Sequence, residues 1–340
     1  MAERDFSVEH LASALQTPVA EAEALLIGDA RINADRAARL SAALGASTRF
    51  WLTREAEYVE DQIRVMAAEW SSSLPLRQMR NFGWIDRTSG WREEIDECLQ
   101  FFGVEDFEEW QNRYCSQFAG AHFRKSPTYA NEENATLVWF RAGERAAASL
   151  ATTSDFSPSG LRARLGELRN LTRLADPAKF IPALQSVCSQ AGLAVVVVPA
   201  PDGCRASGAT RWIHGRPLVQ LSARHLSDDH LWYTFFHELG HVLCHADLDE
   251  TFIDGDADES GDAVEAEADE FATLALFGEF PQLENEQPIQ YRDVIRAAKR
   301  LGVSAGILIG QLQHRNVIPH ERFNRLKRRY QWNGTSLVEK

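Results

Sequence analysis

Over residues 7–65 apolar positions recur three and four apart, the spacing of one helix face. Val8, Leu11, Ala12 and Leu15 share such a face behind Ser7, whose hydroxyl can cap a helix N-terminus. Val19, Ala22, Leu25 and Leu26 follow Thr17-Pro18, read as an N-cap and a first helical residue, and stop at Gly28. Asn33 precedes a third set, Ala37, Leu40 and Leu44, which ends at Gly45. A fourth helix begins near Phe50-Trp51-Leu52 and passes Tyr58, and Ser71-Ser72-Ser73 with Pro75 predicts a break. Residues 76–150 are aromatic-rich and mostly helical in pattern, 152–160 reads as a loop, and 161–191 returns to helix.

The period then changes. Leu193 to Pro199 is a continuous Val-rich run, the mark of a buried strand. Thr210–Ile213 and Pro217–Leu221 flank His214-Gly215 and predict a hairpin, whose edge would suit an extended peptide. Only helices are expected after it. Behind Ser227-Asp228 or Asp229, a helix runs to about His245 with Leu231, Trp232, Phe235, Phe236, Leu239, Val242 and Leu243 spread round it. A helix apolar on all sides is a buried one, and polar groups inside it need partners.

Those polar groups are His237-Glu238-Leu239-Gly240-His241. Two imidazoles four residues apart share a face and can reach one Zn2+, with the intervening Glu placed to take a proton from water. A further helix is expected from Gly261-Asp262 to Gly278. In it Glu265 and Asp269 continue the apolar line through Ala272 and Leu276, whereas Glu267 and Glu270 lie off it and read as solvated. Glu265 is therefore the expected third ligand, with Glu267 as its substitute. Asp269, one turn on, can accept the free N–H of His237 or His241. His245 lies about 12 Å along the axis from His237, too far for a shared ion, and is assigned a supporting role. Cys244 reads as a small core residue.

Composition narrows the classes. The chain has 340 residues, 44% of them hydrophobic and 25% charged, enough for two or three globular domains. A net charge of −13 argues against a surface that coats nucleic acid. Residues 249–270 hold eleven acids and no base, while 292–330 hold ten Lys/Arg against two acids, so the basic stretch is expected to pack on the acidic one. Cys98, Cys115, Cys188, Cys204 and Cys244 show no paired spacing and predict free thiols in a reducing compartment. The first residues lack an apolar signal core and no apolar run spans a membrane, so the expectation is a cytoplasmic protein.

The stretch Gly208 to Gly278 resembles the ImmA/IrrE family of metallopeptidases. The motifs are Pro217-Leu218-Val219-Gln220-Leu221-Ser222, Asp228 through His241, and Glu265-Ala266-Glu267-Ala268-Asp269-Glu270-Phe271-Ala272. The resemblance implies a zincin-like endopeptidase with His237, His241 and Glu265 on Zn2+ (Mn2+ as the alternative ion) and Glu238 as the catalytic base. It also implies a specific protein substrate, typically a helix-turn-helix repressor, cleaved in a stress or mobile-element response. Residues 7–65 resemble an XRE-type, antitoxin-like helix-turn-helix through Leu11-Ala12, Leu25-Leu26, Asp35 to Leu40 and Leu44 to Leu52. Its recognition helix, however, offers Ala20, Glu21, Ala22, Glu23 and Ala24 where base-reading groups belong. Carboxylates near phosphates weaken binding. That favours homodimerisation or partner docking over DNA binding, the rival function being a DNA-binding regulator on a peptidase scaffold.

The expected fold is α+β, mostly α: a helix-turn-helix-like domain over 1–68, a helical region over 74–170, a zincin-like core with a small sheet over 171–282, and a basic helical region over 283–340. An oxyanion-stabilising group is left open among Tyr233, His230, His314 and His320.

Overall fold

The computed structural model describes residues 7–115, 127–150, 154–245, 252–255, 263–281 and 289–340. The expected helix start at Gly261-Asp262 and much of the acidic stretch 249–262 lie outside the described residues. The chain forms two compact units, Met1–Ser71 and Ser72–Lys340.

In the first unit, α1 (Val8–Leu15), α2 (Val19–Ile27) and α3 (Ala34–Leu44) fall where their punctuation predicts. Ser7 and Asn33 accept from the backbone N–H of His10 and Arg36, satisfying donors that a helix start leaves bare. Thr17 does not cap α2; Pro18 holds the N-cap position and no side chain bonds there. Leu11, Ala12, Leu15, Ala22 and Leu40 form a small core, with Trp51 packed against it. Helix α4 (Thr48–Ser73) ends within the expected break at 71–75. Ser71 bonds back to the carbonyl of Ala68 inside its last turn, and Pro75 keeps the helix from continuing.

The second unit opens with α5 (Leu76–Asn81), α6 (Trp91–Phe102), α7 (Phe107–Trp110) and α8 (Pro127–Ala148). The expected loop over 152–160 is shorter than predicted. Ser157 caps α9 (Pro158–Ala163), with Pro158 preset for the first turn. Helices α10 (Leu165–Leu171) and α11 (Pro177–Ser189) lead into the sheet.

That sheet holds β1 (Ala194–Val197), β2 (Ala206–Ile213), β3 (Arg216–Leu221) and β4 (Phe252–Gly255) in the order β1-β3-β2-β4. β1 runs parallel to β3, and the other pairs are antiparallel. The predicted hairpin is present, turning at His214-Gly215. It is not an edge, because β1 and β4 flank it. Helices cover both faces, which is why the strands read as continuous apolar runs. Thr210 and Gly208 of β2 face the helix α12 (Asp228–Cys244), while Arg211 turns to α8. Arg211 donates to Glu144 and to the carbonyl of Phe140, and Gln220 donates to the carbonyl of Trp139. This buried polar seam ties the 74–170 region to the sheet.

Helix α12 crosses the other face and packs on α13 (Ala263–Phe277) and α15 (Ala305–His314), with α14 (Tyr291–Leu301) between them in sequence. The chain does not stay helical to its end. A hairpin of β5 (Tyr330–Asn333) and β6 (Ser336–Glu339) follows, buried through Tyr330 and Leu337. β4 likewise departs from the expectation of helices only. Among the described residues of the basic stretch, Lys327 pairs with Asp229 at 2.6 Å, and Arg328 donates to the carbonyls of Thr172, Arg173 and Leu174; most of the acidic run it was expected to meet lies outside the described residues. Among the described residues no helix is long and apolar enough to cross a membrane.

Candidate metal centre

The site is built from two helices brought unusually close. Fourteen residues of α12 are buried, His237, Glu238 and His241 among them. A Cβ on Gly240 would stand 2.8 Å from the Cα of Ala268, so glycine is what lets α13 lie against α12. The approach brings Glu265 to His237 at 3.1 Å and to His241 at 3.5 Å, while the two Nε2 atoms are 3.1 Å apart. These three side chains offer ligand atoms all within 4.8 Å of one another. Donors about 2.0–2.1 Å from one tetrahedral ion sit roughly 3.3 Å from each other, so the triangle fits a small divalent cation. With the His237 and His241 imidazoles beside it, the Glu265 carboxyl is held well below the usual carboxylate range and stays charged.

Asp269 accepts from His237 Nδ1 at 2.9 Å, which settles the choice between the two histidines. The bond puts the hydrogen on Nδ1 and leaves the Nε2 lone pair facing Glu265. The Tyr233 hydroxyl donates to the same Asp269 oxygen at 3.0 Å. Burial, with Asp269 beside it, pushes the Tyr233 hydroxyl above its ordinary value, so it stays a proton donor.

Glu238 is fully buried against the sheet. Its Oε2 accepts from the Thr210 hydroxyl at 2.6 Å, and a Cβ on Gly208 would stand 2.4 Å from its Oε1. Neither Thr210 nor Gly208 was marked by the sequence reading; the only signal was their inward register on β2. His245, placed at the C-terminal end of α12, meets His241 through the two Nδ1 atoms at 3.2 Å. Glu267, read as solvated or as a substitute ligand, instead reaches His245 Nε2 at 3.0 Å. Cys244 is exposed rather than in the core, because it leaves the last turn on the outer side of α12. Cys98, Cys188 and Cys204 are buried free thiols, and Cys115 is outside the side chains described.

A cleft of about 500 Å3 begins at Asp269 and is lined by Tyr233, Thr273, Phe280, His314 and Arg315 among others. Two of the four open oxyanion candidates, Tyr233 and His314, are there. His230 instead stacks on His225 with ring centroids 4.1 Å apart, and His320 does not line the cleft.

Residues 190–313 match the family model Peptidase_M78, described as the IrrE N-terminal-like domain. The match takes in the four-stranded sheet and α12 to α15. It supports a metallopeptidase of the IrrE/ImmA type, and with it a bound metal ion, over that part of the chain. No curated protein matches the chain.

Proposed function

We propose that the chain is a zinc-dependent endopeptidase that cleaves a specific regulatory protein, with a helix-turn-helix repressor as the substrate class. The observation that carries the reading is the convergence of His237, His241 and Glu265 beside the buried carboxylate of Glu238. A His/His/Glu donor set favours Zn2+ over Mn2+. When bound there, such an ion supplies Lewis acidity, polarising a peptide carbonyl and making water acidic enough to attack it.

The protein's own groups do the rest. Glu238 takes the proton of the attacking water on its carboxylate and delivers it to the departing amine. The Thr210 hydroxyl fixes the carboxylate through Oε2, and burial keeps bulk water from competing for it. The Tyr233 hydroxyl and the His314 ring border the cleft beyond Asp269, where a donor can meet developing oxyanion charge. Among the described residues β4 ends the sheet, and its Phe252 stacks on His241 with centroids 4.3 Å apart. An extended peptide pairing with β4 would therefore lie along the metal centre.

For the first unit we propose protein docking or homodimerisation. Glu23 points outward from α2, Glu21 pairs with Arg36 at 2.9 Å, and Leu26 and Ile27 are 62% and 71% exposed. An acidic and apolar face suits a protein partner and repels phosphates.

Metal analysis combined with cleavage tests the enzyme reading. His237→Ala and Glu265→Ala should purify with little Zn2+, whereas Glu238→Gln should keep the ion and lose hydrolysis by about 10²–10⁴-fold. A wild-type chain that takes up no Zn2+ ends the reading. The substrate assignment fails separately if helix-turn-helix proteins encoded nearby give no product that depends on Glu238.

A further inference from the structure

We propose that Glu267 is a positioning residue for the metal ligand His241, acting through His245 in a two-step relay. The inference rests on the metal-centre reading above and adds a carboxylate to it. His245 is 6% exposed and joins the two ends: its Nδ1 lies 3.2 Å from His241 Nδ1 and its Nε2 lies 3.0 Å from Glu267 Oε2.

Counting hydrogens fixes the direction. A carboxylate only accepts, so His245 Nε2 carries the N–H that meets Glu267. A neutral imidazole has one N–H, so His245 Nδ1 is an acceptor. His241 Nδ1 must then be the donor between the two rings, and its Nε2 is left with a bare lone pair. That atom faces His237 Nε2 and Glu265. The opposite polarity would set the His245 Nε2 lone pair against the Glu267 carboxylate.

Phe252 lies flat on the His241 ring, with 9° between the planes, and limits its tilt. The relay holds the remaining freedom, rotation within the ring plane. On the neighbouring ligand Asp269 does the same work for His237 in one step, at 2.9 Å. Histidines at 237, 241 and 245 thus meet carboxylates at 269, 265 and 267 across the α12–α13 seam. Only the Glu265 contact is a ligand bond in the making.

The test uses the full chain, stripped of metal and titrated with Zn2+ against a chromophoric chelator. His245→Phe should weaken Zn2+ binding about 10–100-fold, the usual cost of losing such a support. Glu267→Ala should weaken it less, because that side chain is 65% exposed and fold loss is not at issue. Glu267→Gln should restore most of the affinity, since its amide oxygen accepts the same N–H. Glu267→Ala should add nothing to His245→Phe. Nitrogen NMR of the histidines should show His245 protonated at Nε2 in wild type and no longer uniquely so in Glu267→Ala.

Unchanged affinity in both His245→Phe and Glu267→Ala overturns the relay. So does an equal loss from Glu267→Ala with and without His245, which would make Glu267 a source of charge alone. A second equivalent of Zn2+ that depends on His245 also overturns it, by making His245 a ligand. If wild type binds no Zn2+, the metal reading falls and takes the relay's purpose with it. The tautomer of His245 in the metal-free chain still reports separately whether Glu267 sets it.

Discussion

Helices α12 and α2 are built on opposite plans. In α12 fourteen residues are buried, charged ones included, and the sheet, α13 and α15 enclose it. In α2 Ala22 is the one buried residue, and the apolar side chains of Leu26 and Ile27 are turned out. A helix enclosed on all sides can hold imidazoles and carboxylates in one geometry, because every neighbour that would let them move is itself packed. A helix fixed by one small alanine contributes a surface. The contrast matches the division proposed above, with chemistry in the second unit and recognition in the first.

Three perturbations sharpen that contrast. Leu15→Ala empties the centre of the small first core, where Leu15 is 1% exposed, and should cost the first unit about 2–5 kcal/mol. Bound Zn2+ should not change; a loss of metal in this variant would mean that the two units do not divide the work as described. Thermal melting with metal analysis on the same samples gives both readings.

Next is the cost of enclosing charge at the start of α12. Asp228 is fully buried, and burial pushes its carboxyl up to about 6 despite the Ser304 hydroxyl bond. Its folded value lies above its unfolded one, so the folded chain holds this proton more tightly. Asp228's own contribution to stability should therefore be fully present below about pH 4, fall by roughly 2–3 kcal/mol as pH rises to about 6, and level off. In Asp228→Asn that decline should vanish from urea unfolding curves taken across the window. An unaltered slope would show that Asp228 stays ionised in the fold.

The smallest expected effect is geometric. Gly240→Ala sets a methyl against the backbone of Ala268 and should cost about 1–3 kcal/mol while widening the gap that Glu265 must cross. Weaker Zn2+ retention in competition with a chelator is the expected sign. Retention equal to wild type would mean that helix spacing does not set the site.

The parts of this architecture that were legible in the sequence are those whose signal is local. Ser7, Asn33, Gly28 and Gly45 mark helix ends by chemistry that acts within one turn. His237, His241 and Glu265 were readable because helical spacing fixes which residues share a face. What was missed depends on distant neighbours. β4 is four residues set between acids, with no alternation to announce it. β5 and β6 are equally short, and the basic run before them resembles a helix end, although Asn333-Gly334 was a turn signal. Thr210 carries no motif and its partner Glu238 is 28 residues away in sequence, while Glu267 lies in a motif that says nothing of its partner His245, 22 residues away.

Strand β4 has a second consequence. As the last strand of its sheet among those described, it offers backbone groups to any extended chain, and another copy of itself is always the nearest such chain. An edge that takes any extended chain would thus also be a seed for sticking copies together. Residues 249–262 carry seven acids and no base, Asp254 of β4 among them. By charge alone, two copies of such a run repel each other, while a chain bearing lysine or arginine is drawn to it.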